Sequence, residues 1–409
     1  MIKKYDVIII GAGPAGLFSA ITIKNKNVLI LEKNSIPGRK LLISGAGQCN
    51  YTNFCEIEDF LNRYGYKGRF LKPALYNFTN KDALKFFQNE GIDSIVREDK
   101  KVFPSSLKAS DILNALINKC DEKGVEIKYN SPVENVQYNN IDKCFNLRTS
   151  NILYVCSKLV IATGGKSYTN TGSTGDGYTF AKSLGHTIEV PMPALTPVFV
   201  DDYKFQELSG ISFENISIIL WRNNKKINQF SGDMLFTHKN LSGPVIINNS
   251  RFIEKRDVLS INFTNYVNQD EFKNFFEQKV SSSGKINVKT LIKELNMPKR
   301  FIDKVMELAN VDENKICSEL NKTSRKKIIE ILCDYKVTVK GLGDYNIAMV
   351  TRGGVSTYEI NSKTIESKII KNLYFAGEVI DFDGDTGGYN IQAAFSTGKL
   401  VGNSININN

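Results

Sequence analysis

The chain has 409 residues, 42% of them apolar and 23% charged, which fits an ordinary globular fold and excludes extended disorder or a collagen-like repeat. A single core rarely grows to this size, so two or three domains are expected, one inserted in or appended to another. The net charge is +10, from 53 Lys and Arg against 43 Asp and Glu, but the excess is mostly scattered lysine; on charge alone, compositional bias is a stronger reading than a nucleic-acid partner.

In chain order, the first apolar run is Val7-Ile8-Ile9-Ile10. It is too short for the core of a signal peptide, Asp6 interrupts its approach, and a glycine loop follows it where a cleavage site would stand. No later stretch has the length of a membrane span. A continuous β-branched run of this kind reads as a strand buried on both faces of a parallel sheet. It leads into Gly11-Ala12-Gly13-Pro14-Ala15-Gly16, then a helical stretch from Leu17 to Lys24, then a second strand from Asn27 to Leu31 that ends at Glu32. In such a fingerprint the first glycine permits the turn, the second lets backbone approach a pyrophosphate, and the third allows close helix–strand packing. The helix amino terminus offers free N–H groups and a positive dipole end to the pyrophosphate. Glu32, 21 residues after Gly11, is placed to hydrogen-bond a ribose hydroxyl. The fingerprint alone leaves NAD and FAD open.

Three further segments point to FAD. Lys33 to Asn53 is long and glycine-rich, reads as a loop, and suits an extended ligand. Arg39 and Lys40 would balance pyrophosphate charge, and Ser44, Gly45, Gly47, Gln48, Cys49 and Asn50 would bring backbone against a flat ring. Val133 to Val155 alternates in three short runs, a small β-meander, with Val133 at a strand end beside the adenine. Lys158 to Ile161 is then a buried strand that runs into the turn Ala162-Thr163-Gly164-Gly165. Asn372 to Phe375 is another strand, feeding Ala376-Gly377-Glu378, and Asp385 precedes Gly387-Gly388-Tyr389-Asn390 and a helix from Ile391 to Val401. A helix amino terminus aimed at a flavin stabilises the negative charge that the reduced ring carries near N1. Between these parts, strand-like runs such as Ile216–Trp221 and Val258–Phe263 precede a Lys/Glu-rich stretch, Gln269 to Tyr335, with helical apolar spacing.

These motifs resemble a bacterial FAD-binding flavoprotein family, the aminoacetone-oxidase-type or NAD(P)/FAD-dependent oxidoreductases, which includes a flavoprotein assigned as a bile-acid 3-dehydro-Δ4,6-reductase. The matching segments are Gly11–Ala20, Arg39–Asn53, Val102–Ala115, Ala162–Gly177, Met234–Ile246, Thr351–Val355 and Tyr374–Gly398. The resemblance implies an α/β fold: a Rossmann-like FAD-binding domain, glutathione-reductase-like and three-layered, built from residues 1–190 and 341–409. It implies an inserted domain at 191–340, β-rich over 191–268 and helical over 269–335. Two departures stand out: Gln48 where the family has arginine, which removes one cation from the flavin loop, and Thr169 where it often has proline.

The expected function is hydride transfer through FAD to a small organic substrate, reduction of a conjugated C=C bond on the family analogy. One dinucleotide fingerprint leaves any NADH or NADPH to dock transiently. The alternatives are an amine oxidase using O2 and, behind it, an FAD-dependent RNA-binding or RNA-modifying protein. A dithiol–disulfide reductase fits poorly, because Cys49 and Cys55 match no redox-pair spacing. Seven cysteines without a CxxC pair, and only two histidines, His186 and His238, argue against a disulfide framework or a metal site; reduced thiols in a cytoplasmic protein are expected. No acid–base constellation stands out. Tyr168, His238, Tyr389 and Cys49 are candidates by position alone, with Tyr389 better suited to fixing the flavin and Cys49 to packing. The inserted domain is expected to cap the flavin.

Overall fold

A computed structural model describes residues 2–407 of the chain. Strand β1 (Ile2–Ile10) ends in four residues with almost no exposure, Val7 to Ile10, each contributing roughly 1.5–3 kcal/mol by burial. It pairs in parallel with β2 (Val28–Leu31) on one side. Beyond β2 lies β3 (Glu126–Lys128), and on the other side of β1 lies β4 (Leu153–Ile161), both again parallel. The carboxyl-terminal half of β4 carries β5 (Leu373–Phe375), so the order β3-β2-β1-β4-β5 is parallel throughout. The amino-terminal half of β4 instead pairs antiparallel with Cys144–Arg148, which pairs with Asn135–Asn139, giving the expected meander. This is an α/β sheet of the Rossmann type.

Helix α1 (Pro14–Thr22) joins β1 to β2. Its close seat on the strand depends on Gly16, where a Cβ would stand 2.0 Å from the Gly11 carbonyl oxygen. The last described element, α2 (Tyr389–Ile407), follows β5 and packs along α1. Phe18 of α1 meets Phe395 of α2 with ring centroids 5.3 Å apart, and Thr22 accepts a bond from Asn406. These pairs advance together along both helices, so α1 and α2 run parallel and their amino termini point the same way. No helix among the described residues is long and apolar enough to cross a membrane.

The chain divides into two compact units, Met1–Ala194 with Asp344–Asn409, and Leu195–Gly343. The breaks fall a few residues beyond 190 and 340 because Ile188–Ala194 pairs antiparallel with Val350–Val355 inside the first unit. The second unit closes six strands into a barrel in the order Val198–Val200, Leu241–Ser242, Lys225–Phe236, Ser212–Arg222, Val258–Asn262, Tyr335–Leu342. Helices Gln269–Ser282, Val288–Lys293, Lys299–Leu308 and Lys322–Cys333 lie between its last two strands in sequence. Each unit has its own apolar core.

Candidate functional site

The glycine turn after β1 has the backbone geometry that the sequence suggests, with Gly11 at φ +104°. Gly13 is the cap residue of α1, with extended backbone and no side chain to occupy the helix end. A Cβ at Gly13 would meet nothing within 4 Å, so open space lies at the amino terminus where the first N–H groups have no intrahelical partner. Pro14, Ala15 and Gly16 already belong to the helix, which starts earlier than Leu17 because proline suits the first turn. Glu32 is buried at the end of β2. Its Oε2 accepts from the Ala12 amide at 2.9 Å, and its Oε1 accepts from the Asn34 amide and side chain at 2.8 Å each. The Ser131 amide bonds the Glu32 carbonyl at 2.9 Å, which brings half-buried Val133 close to the same strand end in sequence.

The segment from Lys33 to Asn53 is not a loop throughout. Gly38, with φ +60°, donates to the Ala12 carbonyl at 3.0 Å and starts a short helix, Arg39–Ile43. Lys33 bonds Thr174 at 2.5 Å and pairs with Asp176 at 2.6 Å. Exposed Arg39 reaches Asn34 Oδ1 at 3.4 Å. Lys40 pairs with Glu378 Oε2 at 2.7 Å and donates to Ser167 Oγ at 2.7 Å. The other Glu378 oxygen accepts from Ser167 Oγ at 3.0 Å and the Thr351 amide at 2.7 Å. One network thus joins the helix after Gly38, the segment after Ala162-Thr163-Gly164-Gly165, Thr351 and the Gly377-Glu378 turn. Neither Ser167 nor Thr351 was singled out from sequence, although both fall in segments that matched the family.

The next stretch is shaped by left-handed backbone. Ser44 to Gly47 forms a tight turn with Gly45 at φ +57° and Ala46 at φ +56°, and Cys49 at φ +59° follows. Cys49 is fully buried, and burial pushes its thiol up to about 12, against a bond with Ser44 that lowers it. A thiol of that kind packs and does not attack at neutral pH. Gln48 Oε1 accepts from Arg97 Nη2 at 2.6 Å, and the Arg97 guanidinium lies 3.9 Å from the Phe103 ring centroid. A guanidinium therefore stands at this turn although residue 48 is not arginine; nothing in the spacing of the sequence announces Arg97. Asn50 Oδ1 is buried without a hydrogen-bond partner.

This turn is clasped to the start of α2. Asn53 Nδ2 donates to the Gly387 carbonyl at 3.1 Å, and Thr52 Oγ1 donates to Gln392 Oε1 at 2.7 Å. Gly388, at φ +92°, lies so close that a Cβ would stand 2.3 Å from the Thr52 carbonyl oxygen. Asn390 closes the preceding turn upon itself, bonding the Gly384 amide and carbonyl at 2.8 and 2.9 Å, so its side chain is committed to the loop. Ile391 packs half-buried against the core. Asp385 lies 3.6 Å from Arg63.

The acid–base candidates are not gathered. The Tyr389 hydroxyl lies 3.8 Å from Cys55 Sγ, its ring packs edge-on to Phe60, and burial raises its hydroxyl well above the ordinary value. That side chain is a packing residue, not an available proton donor. Tyr168 is half-buried at φ +54°, its amide bonded to the Tyr345 carbonyl at 2.7 Å. His238 is exposed in the Thr237–Asn240 turn of the second unit, where Thr237 and Asn240 bond each other. His186 is buried, bonded to Ser367 at 2.8 Å, and structural.

Two parallel helix amino termini, with that of α2 leading because the start of α1 lies level with Gly398, an open approach at Gly13 and an unpartnered acceptor on Asn50 fit a dinucleotide carrying a flat ring. The comparisons agree. The chain is 32% identical over 398 residues, 97% of its length and 96% of the relative's, to a ribosomal RNA dihydrouridine synthase of Escherichia coli (strain K12). It is 28% identical over 405 residues, 96% of its length and 97% of the relative's, to a 3-dehydro-bile acid delta(4,6)-reductase of Clostridium scindens. Among solved structures, the open conformation of a flavocytochrome c3 fumarate reductase matches with a TM-score of 0.52 and 16% identity, covering 99% of this chain and 78% of that one, which shows a shared fold. The family model described as HI0933-like protein Rossmann domain matches residues 5–404, and the chain belongs to that family of FAD-dependent flavoproteins.

Proposed function

We propose that the protein reduces a carbon–carbon double bond conjugated to a carbonyl, and that its substrate is a uridine in RNA. The observation that carries this is the near-full-length likeness to two relatives whose names describe one chemistry. Dihydrouridine arises when the C5–C6 bond of uracil, conjugated to the C4 carbonyl, is saturated. A steroid 4,6-dienone presents the same electrophile. The RNA-directed relative shares 32% of its residues with this chain against 28% for the bile-acid reductase, and a net charge of +10 suits a polyanion. This puts first a reading that the sequence ranked behind both a small-molecule reductase and an amine oxidase.

In this reading bound FAD would supply the hydride, drawn from NADH or NADPH docking transiently, and solvent would supply the proton that completes saturation of the C5–C6 bond. Gly13, Ala15 and Gly16 at the start of α1 hold the pyrophosphate, with Arg39 as an exposed counter-charge. Glu32 takes the ribose, and the backbone near Val133 takes the adenine. Lys40, Glu378 and the Ala162–Gly165 turn line the middle of the cofactor. Ser44 to Asn50 and Gly387 to Tyr389 would hold the ring, with the unpartnered Asn50 Oδ1 free to accept a ring N–H and the α2 terminus suited to negative charge.

The test is anaerobic. The purified protein is mixed with NADPH and the flavin spectrum followed, then ribosomal RNA from cells lacking the enzyme is added and its nucleosides are weighed. Bleaching by NADPH, recovery on RNA and a uridine heavier by two hydrogens are expected. Recovery with a steroid dienone but not RNA would assign the small-molecule substrate instead, and peroxide release with an amine would favour the oxidase.

A further inference from the structure

A surface tied to the 381–389 turn carries a feature that the reduction does not use. Between Asp59 and Asp82 the sequence holds five cations, Arg63, Lys67, Arg69, Lys72 and Lys81, and no acid. The helix Gly68–Asn77 buries Gly68, Leu71, Ala74 and Leu75. That burial turns Arg69, Lys72 and Tyr76 outward along one face, at intervals of three and four residues. Ahead of the helix, Arg63 and Tyr66 are exposed too, Tyr66 to 84%. Cations and rings alternate: Lys67 Nζ lies 5.0 Å from the Tyr66 ring centroid and Lys72 Nζ 5.5 Å from that of Tyr76.

One end of this strip is fastened to the turn. Arg63 lies 3.6 Å from Asp385 and 5.7 Å over the Tyr389 ring, and the Asp385 amide donates to the Arg63 carbonyl at 3.0 Å. Lys67, largely buried, pairs with Asp381. The other end stops at an acid, since Tyr76 donates to Glu58 Oε1 at 3.0 Å. The strip is thus a bounded run of positive charge and exposed aromatic rings that starts beside the start of α2.

We infer that Arg63, Tyr66, Arg69, Lys72 and Tyr76 form the track for the single-stranded RNA flanking the target uridine. This rests on the RNA reading above. Phosphates meet the cations and release counterions, while unstacked bases settle on the tyrosine rings, the mode by which single strands are held. A lipid surface fits less well, because an interfacial helix sinks a broad apolar face into the bilayer, and here Leu71, Ala74 and Leu75 are already buried within the protein.

The test uses the flavin-loaded full chain and a fluorescent uridine-rich single-stranded RNA, with anisotropy read from about 50 to 200 mM salt. The double variant Arg69→Gln/Lys72→Gln is expected to weaken binding about tenfold and to flatten the log–log salt slope by about 1.4, some 0.7 for each cation removed. Tyr66→Ala is expected to weaken binding roughly fivefold or more with the salt slope unchanged, as loss of stacking requires. Flavin spectra and melting midpoints confirm that the variants are folded. If the wild type binds and reduces RNA but the variants bind it equally well, the track is wrong and the RNA reading stands. If the wild type neither binds nor reduces RNA, both fall together. If Tyr66→Ala changes nothing while the cation variant loses heparin and anionic vesicles as fully as RNA, the strip is an unselective polyanion patch and the proposal is overturned.

Discussion

At the scale of single residues, a side chain's type and its neighbours in sequence left its role open. Cys49, Tyr389 and Asn390 sit inside the motifs that suggested chemistry, yet each is turned to packing or turn closure. Lys40 and Glu378, 338 positions apart, meet at 2.7 Å and hold Ser167 and Thr351 in place. His186 gives a measurable consequence. Burial holds its imidazole below the ordinary value of 6.5. The unfolded chain therefore takes up the proton first as pH falls. Stability from this group is full above about pH 6.5, declines as pH drops from there towards the lowered folded value, and then levels off. Melting curves from pH 8 down to about pH 5 should show a steeper loss for the wild type than for His186→Gln, which retains a bond to Ser367 but carries no titrating ring. Parallel curves would mean that His186 is not held neutral.

Among elements, the contact between α1 and α2 decides where both helix termini sit. A Cβ at Gly398 would stand 2.4 Å from the Ala15 carbonyl oxygen. Gly377 adds to the contact through its amide, which bonds Thr397 Oγ1 at 3.0 Å. Gly398→Val should push the helices apart, costing roughly 1–3 kcal/mol in urea unfolding. It should also loosen the flavin, because the terminus proposed for the pyrophosphate and the one proposed for the ring would shift relative to each other. A variant with lower stability and unchanged flavin affinity would show that the spacing of the helices does not matter to the cofactor. The elements themselves were largely legible. The β1 run, the glycine turn, the meander and the strand before Gly377 all appear where short-range pattern put them. The helix Arg39–Ile43 was hidden, because five residues are too few to display a helical period inside a glycine-rich stretch.

For the whole molecule, the two units have separate cores, and every residue proposed to hold FAD lies in the first. Replacing Leu195–Gly343 by a short Gly/Ser linker should therefore leave a yellow protein that retains flavin but no longer reduces substrate. Full activity would remove the expected cap role of the second unit. A protein that cannot fold or take up FAD would show that the first unit depends on the second.

The sequence by itself determined the kind of fold and the class of cofactor. A β-branched run, a turn that demands glycine and a helix that starts at proline are decided within a dozen residues, by sterics and local hydrogen bonding. Only the tertiary structure decided which groups meet: β5 beside β4, Asn53 on Gly387, Glu378 on Lys40 and Arg97 on Gln48. Such partners are chosen by distance in space after the sheet has assembled, and separation along the chain carries little record of that choice.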